Sequence, residues 1–304
     1  MLEPGVSYQI ALKNSKMSAN IIKWSLTVTN LANFDQKIQM FDIDSPYPLT
    51  KEQIQYYQEF GYIKLKNVLD AETLEFYRQE ITGKVIELNT LHLPMEERTT
   101  YQKAFLQIEN LWQHSEIVKR FVLGKRLGRI AAELMEVKGV RLYHDQALYK
   151  EGSGGITPWH ADQYYWPLSS NKSVTVWIPL QKTPLEMGPL AFSMGSQKLQ
   201  IGRDLEISDE SEVVLRDELA KANLQEDEGP FDLGEVSFHS GWTFHHARGN
   251  TTGRTREVMT IIYIDKHIRL AAPENRNQQN DWDSWCPGIK IGEEIDSPLN
   301  PVIY

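Results

Sequence analysis

Apolar residues recur at helical intervals in the first half of the chain. Thr50-Lys-Glu-Gln53 is a capping-box pattern that predicts the start of a helix, and Gly61 is placed to end it. Asp70 can cap the next helix, whose apolar positions repeat with helical spacing: Leu74, Tyr77, Ile81, Val85 and Leu88. The stretch 115–137 predicts two more helices, interrupted near Gly124.

Short β-type segments dominate the chain from Val140 onward. The predicted strands cover residues 140–149, 173–180, 189–192, 235–244 and 257–265. Short strands separated by turn residues fit a mainly β fold with flanking helices, namely a double-stranded β-helix, which is a jelly-roll or cupin-like barrel. The mouth of such a barrel can hold a metal ion and a substrate, while the helices buttress one sheet.

The first part of the chain differs from this pattern. Residues 1–45 have no clear periodicity, although 21–28 could form a strand. We therefore expect an N-terminal extension over 1–45, followed by a single domain over 46–304.

Two later segments also stand out. An acidic insertion is expected at about 197–230, because 201–230 contains ten Asp or Glu residues and three Lys or Arg residues. It includes a helical pattern over 210–222, and it is either a solvated insertion or a lid over the substrate. The aromatic tail at 281–294 is expected to be ordered coil that could wall the pocket.

Composition limits the classes of function. The chain has 304 residues, 41% of them hydrophobic, which is enough to bury a full core. Its net charge of −9 disfavours a nucleic-acid partner. Cys286 is the single cysteine, which excludes internal disulfides and suits a reducing compartment. The first twenty residues are too polar for a signal peptide and no apolar run approaches membrane-spanning length, so we expect a cytoplasmic protein without a membrane partner.

The segment Trp159-His160-Ala161-Asp162 carries the first candidate metal ligands. Pro158 favours extended backbone before it, and side chains two apart on a strand share a face. His160 and Asp162 can therefore grip one ion together. A lone His-x-Asp recurs by chance, however, and the alternative is a structural His beside an Asp that closes a turn.

A second segment raises the metal hypothesis. Residues 234–250, followed by a turn and the apolar run 258–264, predict a strand, a turn and a strand, with His245 before the turn. Hairpin closure would bring Arg256 near the metal, where its guanidinium fork suits a carboxylate; Arg254 could take that role instead. Two imidazoles and one carboxylate form a three-point face for iron(II) that leaves positions open for other ligands.

With these motifs, the chain resembles the phytanoyl-CoA dioxygenase family of iron(II) and 2-oxoglutarate oxygenases over about 46–304. The matching pieces are Trp159-His-Ala-Asp-Gln-Tyr-Tyr-Trp-Pro167, Val176-Trp-Ile-Pro-Leu180, Glu186-Met-Gly-Pro-Leu190, Gly195-Ser196, Gly234-Glu235, His245 through Asn250, and Arg256. The family separates its distal His from its 2-oxoglutarate Arg by eleven residues, as His245 and Arg256 are here. That spacing selects His245 over His246 and His239.

The resemblance implies a role for each matching residue. The implied iron ligands are His160, Asp162 and His245, and Arg256 would grip the distal carboxylate of 2-oxoglutarate. Trp177 matches the aromatic residue beside the cosubstrate, and Gln146 lies where a further cosubstrate contact is expected; the alternatives are a core Trp and an ordinary strand-end Gln. One departure is Ala247, where many relatives have a hydroxyl residue.

The implied activity is that of a dioxygenase that uses Fe(II), 2-oxoglutarate and O2. It would hydroxylate an aliphatic C–H bond of a small-molecule metabolite and release succinate and CO2. The presence of Asp162 indicates that the chain is not one of the related halogenases, in which a small residue replaces the acidic ligand. Desaturation, ring closure or epimerisation could begin from the same substrate radical, which forms when the hydrogen atom of the C–H bond is removed. The neighbouring Tyr164, Tyr165 and Trp166 suit a partly apolar substrate with polar groups.

Two other classes of function remain open. A metal-dependent hydrolase or isomerase on the same barrel would use the ion to activate water, but would leave Arg256 without a carboxylate to bind. A noncatalytic barrel would act as a binding module, which Ala247 slightly favours.

Overall fold

The computed structural model describes residues 41–304. Within that range, Ile43–Tyr304 forms one unit of the chain. The strand predicted at 21–28, and all but the end of the extension predicted at 1–45, lie outside the described residues.

Residues 41–304 form seven α-helices. They are α1 (Lys51–Phe60), α2 (Ala71–Leu88), α3 (Thr100–Ala104), α4 (Glu116–Val122), α5 (Lys125–Met135), α6 (Asp209–Lys221) and α7 (Arg276–Trp285). Thr50 and Gln53 form the capping box of α1, and Gly61 ends it in the left-handed conformation with φ +79°. Asp70 accepts a hydrogen bond from the backbone of Thr73 at the start of α2.

The strands form two antiparallel sheets. They are β1 (Tyr62–Leu65), β2 (Leu106–Glu109), β3 (Val140–Tyr149), β4 (Thr157–His160), β5 (Ser173–Pro179), β6 (Leu190–Ser193), β7 (Glu226–Glu228), β8 (Val236–Ser240), β9 (His245–Ala247) and β10 (Val258–Asp265). The large sheet has the order β1-β8-β5-β10-β3-β2, and the small sheet has the order β4-β9-β6-β7. This is the predicted mainly β jelly roll with flanking helices, but its two sheets do not close into one hydrogen-bonded barrel.

One face of the large sheet is covered by helices. Helix α5 packs against β3, β5 and β10, and its buried side chains include Ile130 and Leu134. Along β10, Tyr263 points to this side and lies near the carbonyl of Val122 at the end of α4. Because side chains alternate along a strand, Thr260 faces the other side of the sheet, towards the cavity described below.

The predicted hairpin between His245 and Arg256 is wrong. The strand predicted over 235–244 ends at Ser240, and β9 pairs with β4 and β6 in the small sheet. Strand β10 pairs with β5 and β3 in the large sheet. The chain therefore crosses between the two sheets after Ala247. The prediction failed because a pattern of apolar residues can indicate a strand but does not show which strand it pairs with.

The acidic segment and the tail are packed parts of the fold. The helical pattern predicted over 210–222 is confirmed as α6, where Leu215 is fully buried against Trp159 and Phe244. Strand β7 of the same segment joins the small sheet. The tail contains helix α7 where coil was predicted.

Within residues 41–304, no helix is both long and apolar enough to cross a membrane.

Helix α2 offers a matched test of the core. Ile81 is 0% exposed and Ile86 is 75% exposed. We expect Ile81→Ala to lower the free energy of unfolding by about 2–5 kcal/mol, because it removes buried methyl groups and leaves a cavity. Ile86→Ala should change it by less than about 0.5 kcal/mol. Urea denaturation followed by circular dichroism measures both, and equal losses would contradict the burial of Ile81.

Candidate active site

The pairing of β4 with β9 brings two of the predicted metal ligands together. His160 ends β4 and lies directly opposite His245 of β9. Ala161 keeps extended backbone, with φ −125° and ψ 131°, and Asp162 then begins a short 3-10 turn. Asp162 therefore points to the same side as His160, as their spacing predicts, although it lies just beyond the strand.

The three side chains converge on a common point. Nε2 of His160 lies 3.7 Å from Oδ1 of Asp162, and Nε2 of His245 lies 3.6 Å from the same oxygen. One ligand atom from each of these three residues lies within 4.8 Å of the others. This is a group that could hold one metal ion.

Both imidazoles are oriented by backbone carbonyl groups. His160 Nδ1 lies 2.7 Å from the Pro158 oxygen, and His245 Nδ1 lies 2.9 Å from the Thr243 oxygen. Since a carbonyl only accepts, each Nδ1 carries the proton and each Nε2 keeps a free lone pair. Burial lowers the pKa of both His160 and His245, which favours the neutral form that binds metals.

The carboxylate of Asp162 is held through its second oxygen. The hydroxyl of Thr175 donates to Oδ2 at 2.6 Å, and Nε2 of His239 lies 3.2 Å from it. Burial alone would raise the pKa of Asp162, but His245 and His239 hold it well below its usual range. Oδ1 is thus left to face the two ligand imidazoles. Sequence analysis missed Thr175 and His239 as parts of this site.

The triad lines a cavity of about 390 Å³. Thr260 of β10 lies opposite Gln146 of β3 and Trp177 of β5. Residues directly opposite in a sheet share a face, and all three line the cavity. The structure therefore brings Gln146 and Trp177 to the triad. Trp177 also packs on the ring of Phe231, with centroids 4.7 Å apart, so it belongs both to the core and to the cavity wall.

Arg256 lines the same cavity and is 2% exposed, whereas Arg254 is exposed. Its Nη1 donates to the carbonyl of Gly188, its Cζ lies 5.4 Å from the Trp177 ring, and its Nε has no hydrogen-bond partner. No Asp or Glu of residues 41–304 forms an ion pair with Arg256. Burial lowers the pKa of Arg256 to about 9. A buried guanidinium with an unsatisfied N–H fits an anionic ligand.

Lys150 is a second buried cationic residue, beside Arg256. The two residues exchange backbone hydrogen bonds of 2.9 and 2.8 Å. Burial, with a further contribution from Arg256, lowers the pKa of Lys150 to about 6, so its amine is mostly neutral at pH 7. Its Nζ donates to the Gly155 carbonyl and to the hydroxyl of Thr157.

His246 and Ala247, which follow His245 in β9, are not part of the triad. His246 stacks on Trp159 with centroids 4.0 Å apart and hydrogen-bonds to Glu226 at 2.9 Å. Ala247 lines the cavity and is paired with Thr157 across β4 and β9. Thr157 also lines the cavity, so a hydroxyl residue lies beside the position where Ala247 lacks one.

The aromatic residues after Asp162 divide between the cavity and its support. Tyr165 and Trp166 line the cavity. Tyr164 contacts the ring of Tyr165 edge-on, with centroids 4.9 Å apart. The predicted aromatic wall is thus formed by two of the three residues.

Similar solved structures share this fold. The non-heme alpha ketoglutarate dependent carbocyclase SnoK from nogalamycin biosynthesis matches with a TM-score of 0.68 and 22% identity, over 86% of this chain and 100% of that one. The epimerase SnoN, in complex with Fe3+, alpha ketoglutarate and nogalamycin RO, matches with a TM-score of 0.70 and 20% identity, over 84% of this chain and 98% of that one.

Sequence comparison places the chain in a family. A probable alpha-ketoglutarate-dependent hypophosphite dioxygenase of Stutzerimonas stutzeri is 24% identical over 226 residues, which cover 70% of this chain and 77% of that protein. The model of the phytanoyl-CoA dioxygenase (PhyH) family matches residues 57–258, which include the triad and Arg256. That match extends over more than half of the sequence, and the chain therefore belongs to the phytanoyl-CoA dioxygenase family.

Proposed function

We propose that this protein is an Fe(II)- and 2-oxoglutarate-dependent oxygenase that hydroxylates an aliphatic C–H bond of a small-molecule metabolite. The observation that carries the proposal is one cavity that holds both a His-Asp-His group and a buried Arg256 without an anionic partner. The domain that performs this reaction is proposed to span residues 46–304.

The donor set fits iron(II). His160, Asp162 and His245 offer two neutral imidazoles and one ionised carboxylate on one side of a common point. This facial arrangement leaves positions for a chelating cosubstrate and for O2. The retained carboxylate also favours oxygen transfer over halogenation. The hydrogen bonds to each Nδ1 and to Oδ2 of Asp162 orient the donors before metal binding.

The cavity also fits 2-oxoglutarate. Arg256 would bind its distal carboxylate, with the Trp177 ring beside it and Gln146 on the neighbouring strand. The hydroxyl of Thr157 is proposed to replace the hydroxyl that Ala247 lacks. Iron and 2-oxoglutarate together supply oxidation of a C–H bond by O2, with release of succinate and CO2. The protein orients the target bond and excludes water.

The similar proteins support the cofactors more strongly than the outcome. The relative from Stutzerimonas stutzeri is described as an alpha-ketoglutarate-dependent dioxygenase, and the SnoN structure contains Fe3+ and alpha ketoglutarate. SnoK and SnoN are described as a carbocyclase and an epimerase. Hydroxylation is our proposal for this chain because it needs no second reacting group on the substrate.

The two alternatives fit the cavity less well. A hydrolase or isomerase would leave the buried guanidinium of Arg256 without an anion. A noncatalytic module would have no use for two imidazole nitrogens and a carboxylate oxygen that converge on one point.

Anaerobic addition of iron(II) and 2-oxoglutarate tests the function directly. We expect a weak visible charge-transfer band in the wild-type protein and in His246→Ala, because His246 lies outside the triad. His245→Ala should weaken iron binding by on the order of 100-fold or more, and the band should disappear. No band in the wild type at saturating ligand would count heavily against the oxygenase.

Substitution of the two arginines tests the cosubstrate site. Arg256→Ala should raise the 2-oxoglutarate concentration for half-maximal band intensity by roughly 100-fold, since each charge-assisted hydrogen bond contributes about 1.5–3 kcal/mol. Arg256→Lys should recover only part of this loss, because it lacks the fork. Arg254→Ala should leave the requirement unchanged. A larger effect of Arg254→Ala would move the carboxylate site to Arg254.

Substitution of His239 and Thr175 tests the orientation of Asp162. Either His239→Phe or Thr175→Val removes one hydrogen bond to Oδ2. We expect each to weaken iron(II) binding by about 10–100-fold, as is typical when a ligand loses its supporting partner. Thermal unfolding without metal controls for a general loss of stability. Unchanged iron affinity in both variants would mean that Asp162 needs no such support.

A further inference from the structure

Three carboxylates line the cavity, on elements other than those that carry the metal ligands and Arg256. Glu109 lies at the end of β2, Glu206 lies in the segment before α6, and Asp281 lies on α7. We call these three residues the acidic wall. They come from distant parts of the sequence, yet all of them line the cavity that contains the proposed metal ligands.

The acidic wall has no positive partner within the described chain. Arg256 is the only Lys or Arg among the cavity-lining residues of 41–304. No side chain of that range forms an ion pair with a residue of the acidic wall. The side chains that donate hydrogen bonds to the wall are all neutral. Tyr143 and Trp285 donate to Asp281 at 2.8 and 3.2 Å, Asn277 donates to Glu206 at 2.9 Å, and Gln107 donates to Glu109 at 3.2 Å. Burial, and then the charge of Glu109, raises the pKa of Asp281 to about 8, as expected for a carboxylate that lacks a counter-charge. A bound cation would supply that counter-charge, lower the pKa again and leave Asp281 ionised.

A buried, unsatisfied imidazole lies beside the acidic wall. His144 lines the cavity, is 5% exposed, and its Nδ1 has no hydrogen-bond partner. Its ring stacks on Trp285, with centroids 5.1 Å apart, and the indole of Trp285 donates to Asp281. Burial lowers the pKa of His144 to about 4, so it adds no positive charge at neutral pH. A buried polar atom without a partner is costly, which points to a polar ligand beside the acidic wall.

The charges around the metal ligands and Arg256 balance without the acidic wall. In the proposed complex, iron(II) and Arg256 are positive, and Asp162 and the two carboxylates of 2-oxoglutarate are negative by the same amount. The metal site is therefore neutral, and the charge of the acidic wall is left for the remaining ligand, which is the substrate.

Aromatic rings complete the lining of the cavity. Tyr101, Tyr165 and Trp166 line it together with the acidic wall. Carboxylates and aromatic faces both attract an organic cation, and an ammonium group over a desolvated ring gains further stabilisation. The volume of about 390 Å³ limits the ligand to a small metabolite, since the cosubstrate must also fit.

We propose that the substrate is a small organic cation whose ammonium group binds at the acidic wall while the bond to be oxidised faces the metal. That this cation is a substrate rests on the proposed function, whereas the cation site rests on the geometry of the acidic wall and His144.

Three molecules of similar shape and different charge test this proposal. Choline is the cation, 3,3-dimethylbutan-1-ol is its neutral isostere, and 3,3-dimethylbutanoate is the anion. Each is titrated calorimetrically into the full chain, without oxygen, both with and without iron(II) and 2-oxoglutarate. We expect choline to bind at least about tenfold more tightly than the neutral isostere, as a desolvated cation–π and carboxylate site provides. Equal affinities, a preference for the neutral or anionic molecule, or no measurable binding of choline overturns the proposal.

Variants locate the effect at the acidic wall. Asp281→Asn and Glu109→Gln should each reduce the ratio of choline affinity to neutral-isostere affinity by about fivefold or more, because each removes a carboxyl group that would be ionised beside a bound cation. Asp283→Asn is the matched control, since Asp283 is exposed on the same helix and does not line the cavity. Glu109 is open to the cavity, so its variant keeps the test valid if Asp281→Asn fails to fold. A ratio unchanged in Glu109→Gln, and in a folded Asp281→Asn, overturns the assignment.

The charge-transfer band separates this proposal from the proposed function. A normal band without a preference for choline would contradict the proposed cation site and leave the proposed oxygenase function unaffected. A preference for choline without the band would support the cation site and contradict the oxygenase function.

Discussion

The site depends on one cross-strand pairing, that of His160 in β4 with His245 in β9. Opposite residues in an antiparallel pair bring their side chains within reach of one another, and here the ring centroids lie 4.1 Å apart. Ala161 then continues the extended backbone for one residue and sets Asp162 on the same side. Backbone geometry alone thus assembles the three donors, and their hydrogen bonds only refine the direction in which each donor points.

The large sheet supplies the side chains that hold the carboxylate of Asp162 in place. Thr175 and His239 lie opposite each other on β5 and β8, and both hold the same oxygen of Asp162. The carboxylate therefore joins the two sheets, and its ionised form is favoured by polar groups from both. This arrangement explains how a buried acid remains charged without a Lys or Arg partner, since directed hydrogen bonds and neighbouring imidazoles replace the lost hydration.

The sequence predicts the local features of this structure better than the distant ones. Helix starts at Thr50 and Asp70 depend on adjacent residues, and the position of His160 relative to Asp162 depends on strand periodicity. The placement of Arg256 in the cavity matches the prediction, but its predicted cause, a hairpin, is wrong. His239 was missed because it is 77 residues from Asp162 and no local pattern records that contact. Strand partners are set by the packing of whole sheets, which a single sequence does not display.

The division of the cavity separates chemistry from recognition. The metal donors lie on β4 and β9 of the small sheet and in the turn after β4, and Arg256 forms a bridge with Lys150 just before β10 of the large sheet. The acidic wall lies on elements at the margin of those sheets, namely the edge strand β2, the segment before α6, and helix α7. A substitution at His160 in β4 or His245 in β9 removes a metal ligand, whereas one at Asp281 in α7 removes none of them. A fold built in this way can keep one oxidative centre while its marginal elements determine which molecule reaches it.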